Sequence, residues 1–133
     1  MKTFILLSFI LFWTSTFSQK NGAIYEKVFQ IFQTKCIFKN GFQMQLKRVF
    51  DDSRCPDSAQ CIWAGEVSIE IIAFKNNKIT EVKVMTLSNK NFEENKKWFS
   101  DKYQIVIKEI SVCPNLKQGT LINPKAYYVK IVY

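Results

Sequence analysis

The chain contains no histidine. That absence removes Ser–His and Cys–His nucleophile pairs and every imidazole metal ligand in one step. Glycine (4) and proline (3) are scarce, and neither an internal repeat nor a low-complexity tract is present. Arginine is nearly missing, with only Arg48 and Arg54 among 19 basic side chains. The remaining lysines are scattered, and Lys47-Arg48 and Lys96-Lys97 are the tightest basic groups. A formal net charge of +8 therefore lacks the concentrated stripe of a nucleic-acid interface, and no nucleic-acid partner is expected. The charge still favours anionic partners at long range, an anionic glycan or a membrane surface among them. Solvated lysines that discourage edge-to-edge association of strands are the simpler reading.

No apolar run reaches the roughly 20 residues needed to cross a bilayer as a helix. The longest is Phe4 to Trp13, broken only by Ser8. Lys2 precedes it, and Thr16-Phe17-Ser18 follows with small residues at −3 and −1 of a cut before Gln19. This order of charge, apolar core and small-residue exit predicts an export signal over residues 1–18, with residues 19–133 as one domain secreted or held in a periplasm.

The four cysteines, Cys36, Cys55, Cys61 and Cys113, all lie beyond that segment. An even count in an oxidising compartment favours two disulfides, for which three connectivities exist. The short spacer between turn-forming residues favours Cys55–Cys61 and leaves Cys36 for Cys113. The short bridge restricts the unfolded chain by roughly 2 to 2.5 kcal/mol and the long one by about 4 to 5.

Short alternating apolar segments separated by turn residues dominate the rest, which is a β pattern. Ile24 to Phe32 and Lys35 to Phe38 are extended, and Asn40-Gly41 is the preferred pair for a tight hairpin turn. The returning strand would put Phe42, Met44, Leu46 and Phe50 on one face and Gln43, Gln45 and Lys47 on the other. A second hairpin joins Val67–Phe74 to Ile79–Leu87 through Asn76-Asn77. Ser88 to Lys102 is the least β-like part, with a short helix capped by Asn91 and carrying Glu94 at its third position. Tyr103 to Val112 is extended again, Pro114 ends it, and a last strand alternates Tyr127, Val129, Ile131 and Tyr133. About seven strands predict an all-β antiparallel sandwich, with a small barrel as the alternative and an irregular or helical insertion near 88–102.

The densest segment runs from Asp51 to Gly65. Asp51, Asp52, Asp57 and Glu66 could in principle gather oxygens for calcium, but turn carboxylates accepting local N–H bonds are the stronger reading, so neither metal nor cofactor is expected. Arg54 either pairs with Asp51 or Asp52, or lies over Trp63, or projects as the specificity residue of a protease inhibitor. Trp63 reads as core, and Gly65 as relief of crowding or as a bulge where the loop re-enters the sheet. Trp98, Phe99 and Tyr103 read as anchors rather than a sugar-stacking platform. Asp52, Arg54 and Trp63 are the candidate binding residues of the loop.

Asp52-Ser53-Arg54-Cys55-Pro56, four residues, then Cys61-Ile62-Trp63-Ala64-Gly65 resembles the signature of a family of small exported bacterial proteins and lipoproteins. The resemblance covers residues 25–133, including the late strands, and implies export and a β fold without implying an activity. The chain departs from that pattern in lacking a lipobox cysteine, and Cys36 and Cys113 look like additions. Residues and resemblance together describe an exported, non-enzymatic β-sandwich, structural or binding at the cell envelope. The alternatives are an inhibitor offering Arg54 and a glycan-binding module.

Overall fold

The structure, a computed structural model, describes residues 25–39 and 41–133. The expected export signal and its cut before Gln19 lie outside the described residues. Seven strands form two antiparallel sheets: β1 (Val28–Phe32), β2 (Ile37–Lys39), β3 (Phe42–Phe50), β4 (Val67–Lys75), β5 (Lys78–Leu87), β6 (Glu109–Cys113) and β7 (Tyr128–Val132). One sheet has the order β1-β7-β6 and the other β2-β3-β4-β5, and neither closes into a barrel. The fold is the expected β-sandwich with a single helix, α1 (Phe92–Tyr103), inserted between β5 and β6.

Alternation explains the core. Ile31, Val129, Ile131, Ile110 and Val112 of the smaller sheet meet Met44, Leu46, Val67, Ile69, Ile71 and Met85 of the larger one. Each fully buried aliphatic side chain contributes about 1.5–3 kcal/mol through area removed from water. The hairpins fall where the turn residues place them. Lys39 pairs with Phe42 across a two-residue connection in which Gly41 takes φ +78°. Asn76 and Asn77, both at positive φ, join β4 to β5, as a type I′ turn requires.

One expected face is corrected. The pairing of β3 with β4 slips between Leu46 and Arg48, so Lys47 is a bulged residue and the in/out alternation changes phase after it. Val49 rather than Phe50 then packs against the core, while Phe50 pairs across from Ser68 on the outer face. The same slip lets both Lys47 (3.0 Å) and Arg48 (2.6 Å) reach Glu70, which is buried on the outer face of β4. The Arg48 and Lys47 hydrogen bonds hold the Glu70 carboxyl below its usual value.

A second correction concerns Tyr103. It ends α1 instead of opening a strand, with Gln104 in the left-handed conformation donating its N–H to Ser100 O, a common helix stop. Phe99 and Tyr103 on one side of α1 are fully buried, so the helix is held by docking rather than by its own propensity. Asn91 precedes α1 but makes no side-chain cap. Its amide and that of Asn95 instead donate to Thr86 O at the end of β5.

Candidate functional site

The segment 51–65 returns on itself as a narrow ladder. Ser53 N–H donates to Glu66 O at 2.8 Å, Cys55 N–H donates to Ala64 O at 3.0 Å, and Glu66 N–H donates to the Ser53 hydroxyl. Cys55 and Cys61 are bridged, closing the far end of the ladder. Gly65 sits at φ +73°, and a Cβ there would fall 1.9 Å from Ser53 O. The glycine is therefore required twice, by its backbone conformation and by the close approach of the opposite strand.

Arg54 joins this ladder to the smaller sheet. Its Nε and Nη2 donate to the two Asp52 carboxylate oxygens, each at 2.7 Å, as a bidentate pair. Nη1 donates to Val112 O, and Nη2 also donates to Pro114 O at 3.1 Å. The Tyr127 hydroxyl donates to Asp52 Oδ2 at 3.0 Å. Burial alone would raise the Asp52 carboxyl, but the Arg54 hydrogen bonds and charge, with Tyr127, outweigh it and hold it below the usual range. Burial first, and then the bond to Asp52, push the Tyr127 phenol up. A third link is backbone: Asp57 N–H donates to Leu116 O at 2.7 Å, with a bridge to Lys117.

Of the three candidate binding residues, the structure thus joins two. Asp52 and Arg54 satisfy one another, and Arg54 turns inward to β6 instead of projecting as an inhibitor's specificity residue would. Trp63 is not a core residue: it is 78% exposed, and its neighbour Ile62 is fully exposed. The ladder ends at this point, so the side chains flanking Cys61 have no sheet to pack against. Of the carboxylates considered for calcium, Asp52 is spent on Arg54 and Tyr127, while Asp57 is placed by its backbone N–H bond to Leu116 O. Among the described residues no group of three or more acidic or cysteine side chains converges.

The expected Cys36–Cys113 bridge is absent, and both cysteines are free thiols. The topology explains this. Cys36 precedes β2, an edge strand of the larger sheet in contact with β1, whereas Cys113 ends β6, the edge strand of the smaller sheet that contacts α1. Cys113 stands opposite Tyr128 across the β6–β7 pairing, and the neighbouring Cys113 side chain is the main reason the Tyr128 phenol is raised.

The sugar-stacking arrangement of Trp98, Phe99 and Tyr103 is also excluded. Phe99 and Tyr103 are fully buried, and Trp98 stands at 83° to Phe99. Trp98 Nε1 donates to Glu81 at 3.1 Å, which makes it the anchor of α1 on β5.

Beside the Arg54 link lies a cleft of about 260 Å³ lined by Arg54, Gly65, Leu87, Phe92, Asn95 and Ser111, among others. The Ser111 hydroxyl is buried with no partner among the described residues. Without histidine in the chain it has no imidazole base to activate it.

Tyr127 and the carbonyls of Val112 and Pro114 escaped sequence reasoning, because they lie dozens of residues from Arg54. Ile62-Trp63 did carry a signal, being an apolar pair beside a cysteine within an otherwise polar turn segment. Among the described residues no helix is long and apolar enough to cross a membrane. No family model, no curated protein and no solved structure matches the chain.

Proposed function

We propose that this chain is an exported, non-enzymatic β-sandwich that engages a protein partner at the cell envelope through the tip of its 51–65 loop. The observation that carries the reading is the exposure of Ile62 and Trp63 on a loop fixed by a disulfide and by the Asp52–Arg54 pair. Exposed Trp side chains on preorganised segments are the usual anchors of protein interfaces, because little ordering remains to be done on binding. Export is supported by the Lys2 to Ser18 pattern, by a disulfide that needs an oxidising compartment, and by the signature that resembles exported bacterial proteins. The absence of histidine supports a binding role over nucleophilic hydrolysis.

The test is envelope cross-linking with wild type and with an Ile62→Ser/Trp63→Ser variant, products being quantified by mass spectrometry. The reading predicts one cross-linked protein species that the variant loses, while its thermal midpoint stays within about 2 °C of wild type because both side chains are exposed. Identical products from the two proteins would sink it. Turnover of a substrate abolished by Asp52→Asn would also overturn it.

A further inference from the structure

The edge of the larger sheet is β5, which pairs with β4 on one side and with no described strand on the other. Its two ends are guarded. A register slip between Ala73 and Phe74 leaves Thr80 as a bulge near one end, and the Asn91 and Asn95 amides occupy Thr86 O at the other. Backbone groups alternate sides along a strand. Thr86 O faces the edge, and the register from Val82 to Leu87 is unbroken. The N–H and C=O groups of Val84 and Val82 therefore also point outward. Val82 is 49% exposed and Val84 53%, both on the outer face.

We infer that a second copy of this chain covers the open middle of β5, the two β5 strands running antiparallel about a two-fold axis at Val82. The argument is charge complementarity. Glu81 and Lys83 flank Val82 on the face opposite the valine side chain. A two-fold axis there sets each Glu81 across from Lys83 of the other copy, twice over. Lys83 holds no ion pair among the described residues, whereas Glu81 is already oriented by Lys102 at 2.6 Å and by Trp98. The Lys102 and Trp98 hydrogen bonds keep Glu81 ionised by lowering its carboxyl. On the outer face the two Val82 side chains meet, extending the apolar row begun by Ile72, which pairs with Val82 inside each copy. Such a self-complementary contact closes after two copies, because the same edge is used by both. The result is one continuous eight-stranded sheet whose exposed edge amides are paired. The contact does not involve the loop tip bearing Trp63.

Sedimentation velocity over a concentration series tests this, using the chain expressed with its N-terminal segment and recovered as the host processes it. Wild type shifts from monomer to twice that mass as concentration rises. Val82→Pro removes an outward N–H that β4 does not use, so it abolishes the shift while circular dichroism stays native. Lys83→Glu and Glu81→Lys each stay monomeric alone and form a mixed dimer when combined, read by native mass spectrometry. Val82→Pro and Lys83→Glu decide the matter even if Glu81→Lys fails to fold for want of its Trp98 and Lys102 contacts. A wild type that is monomeric at every concentration overturns the inference. So does a dimer that persists in Val82→Pro, including one linked through Cys36 on a non-reducing gel. An Ile62→Ser/Trp63→Ser variant dimerises normally, so failure of the loop-tip proposal and failure of this one are separately visible.

Discussion

Replacing Arg54 by alanine removes more than an ion pair. Asp52, whose side chain is 11% exposed, loses both bidentate hydrogen bonds and keeps the Tyr127 hydroxyl and the longer bond from the backbone N–H of residue 54, at 3.4 Å, while Val112 O and Pro114 O lose their donor. A fully buried charge left unpaired costs about 3–5 kcal/mol, and a hydrogen bond to a charged group is worth about 1.5–3. Arg54 itself is 18% exposed, so solvent screens part of the loss, and about 2–4 kcal/mol is the expected destabilisation. At about 4 °C per kcal/mol for a domain of this size, the thermal midpoint falls by roughly 8–16 °C. Guanidinium unfolding of wild type, Arg54→Ala, Asp52→Ala and the double variant gives the coupling directly, with about 1–3 kcal/mol expected between the pair. The pH dependence carries the sign. Because Asp52 is held below its ordinary value in the folded state, its contribution is fully present above about pH 4 and is lost as pH falls through the folded value. Arg54→Ala should flatten that acid limb. A cost below about 1 kcal/mol with no coupling and an unchanged acid limb would refute the reasoning.

Two further outcomes follow from the same loop and its surroundings. Gly65→Ala should cost more than about 3 kcal/mol or prevent folding, since both the positive φ and the contact with Ser53 O oppose a Cβ; expression as a stable protein with a wild-type melting point would contradict this. Thiol titration of the unfolded but unreduced protein should count two thiols, from Cys36 and Cys113, with Cys36 reacting faster in the native state because it is exposed; a count of zero would restore the long bridge.

Much of the architecture was legible because it depends on local periodicity and turn chemistry. Met44 and Leu46, and Val67, Ile69 and Ile71, face the core as their alternation requires, and Asn40-Gly41 and Asn76-Asn77 mark the two hairpins. Alternation alone puts Phe50 on the core face, whereas a single bulged residue, Lys47, inverts the phase, and a period of two carries no record of where such a residue sits. An aromatic residue such as Tyr103 beside isoleucines fits a strand, while the docking that makes it the end of α1 is tertiary. The four cysteines could be counted but only half paired, since whether Cys36 can reach Cys113 depends on which flank each edge strand occupies.

Composition removes imidazole chemistry, alternation marks the β class and cysteine spacing favours the short bridge, because each of these acts within a few residues. The roles of the two most conspicuous side chains in the loop are set instead by contacts between distant parts of the chain. Arg54 turns inward because the carbonyls of Val112 and Pro114 and the Asp52 carboxylate converge on it from chain positions far apart. Trp63 faces solvent because the ladder that precedes it ends before any sheet can cover the ring.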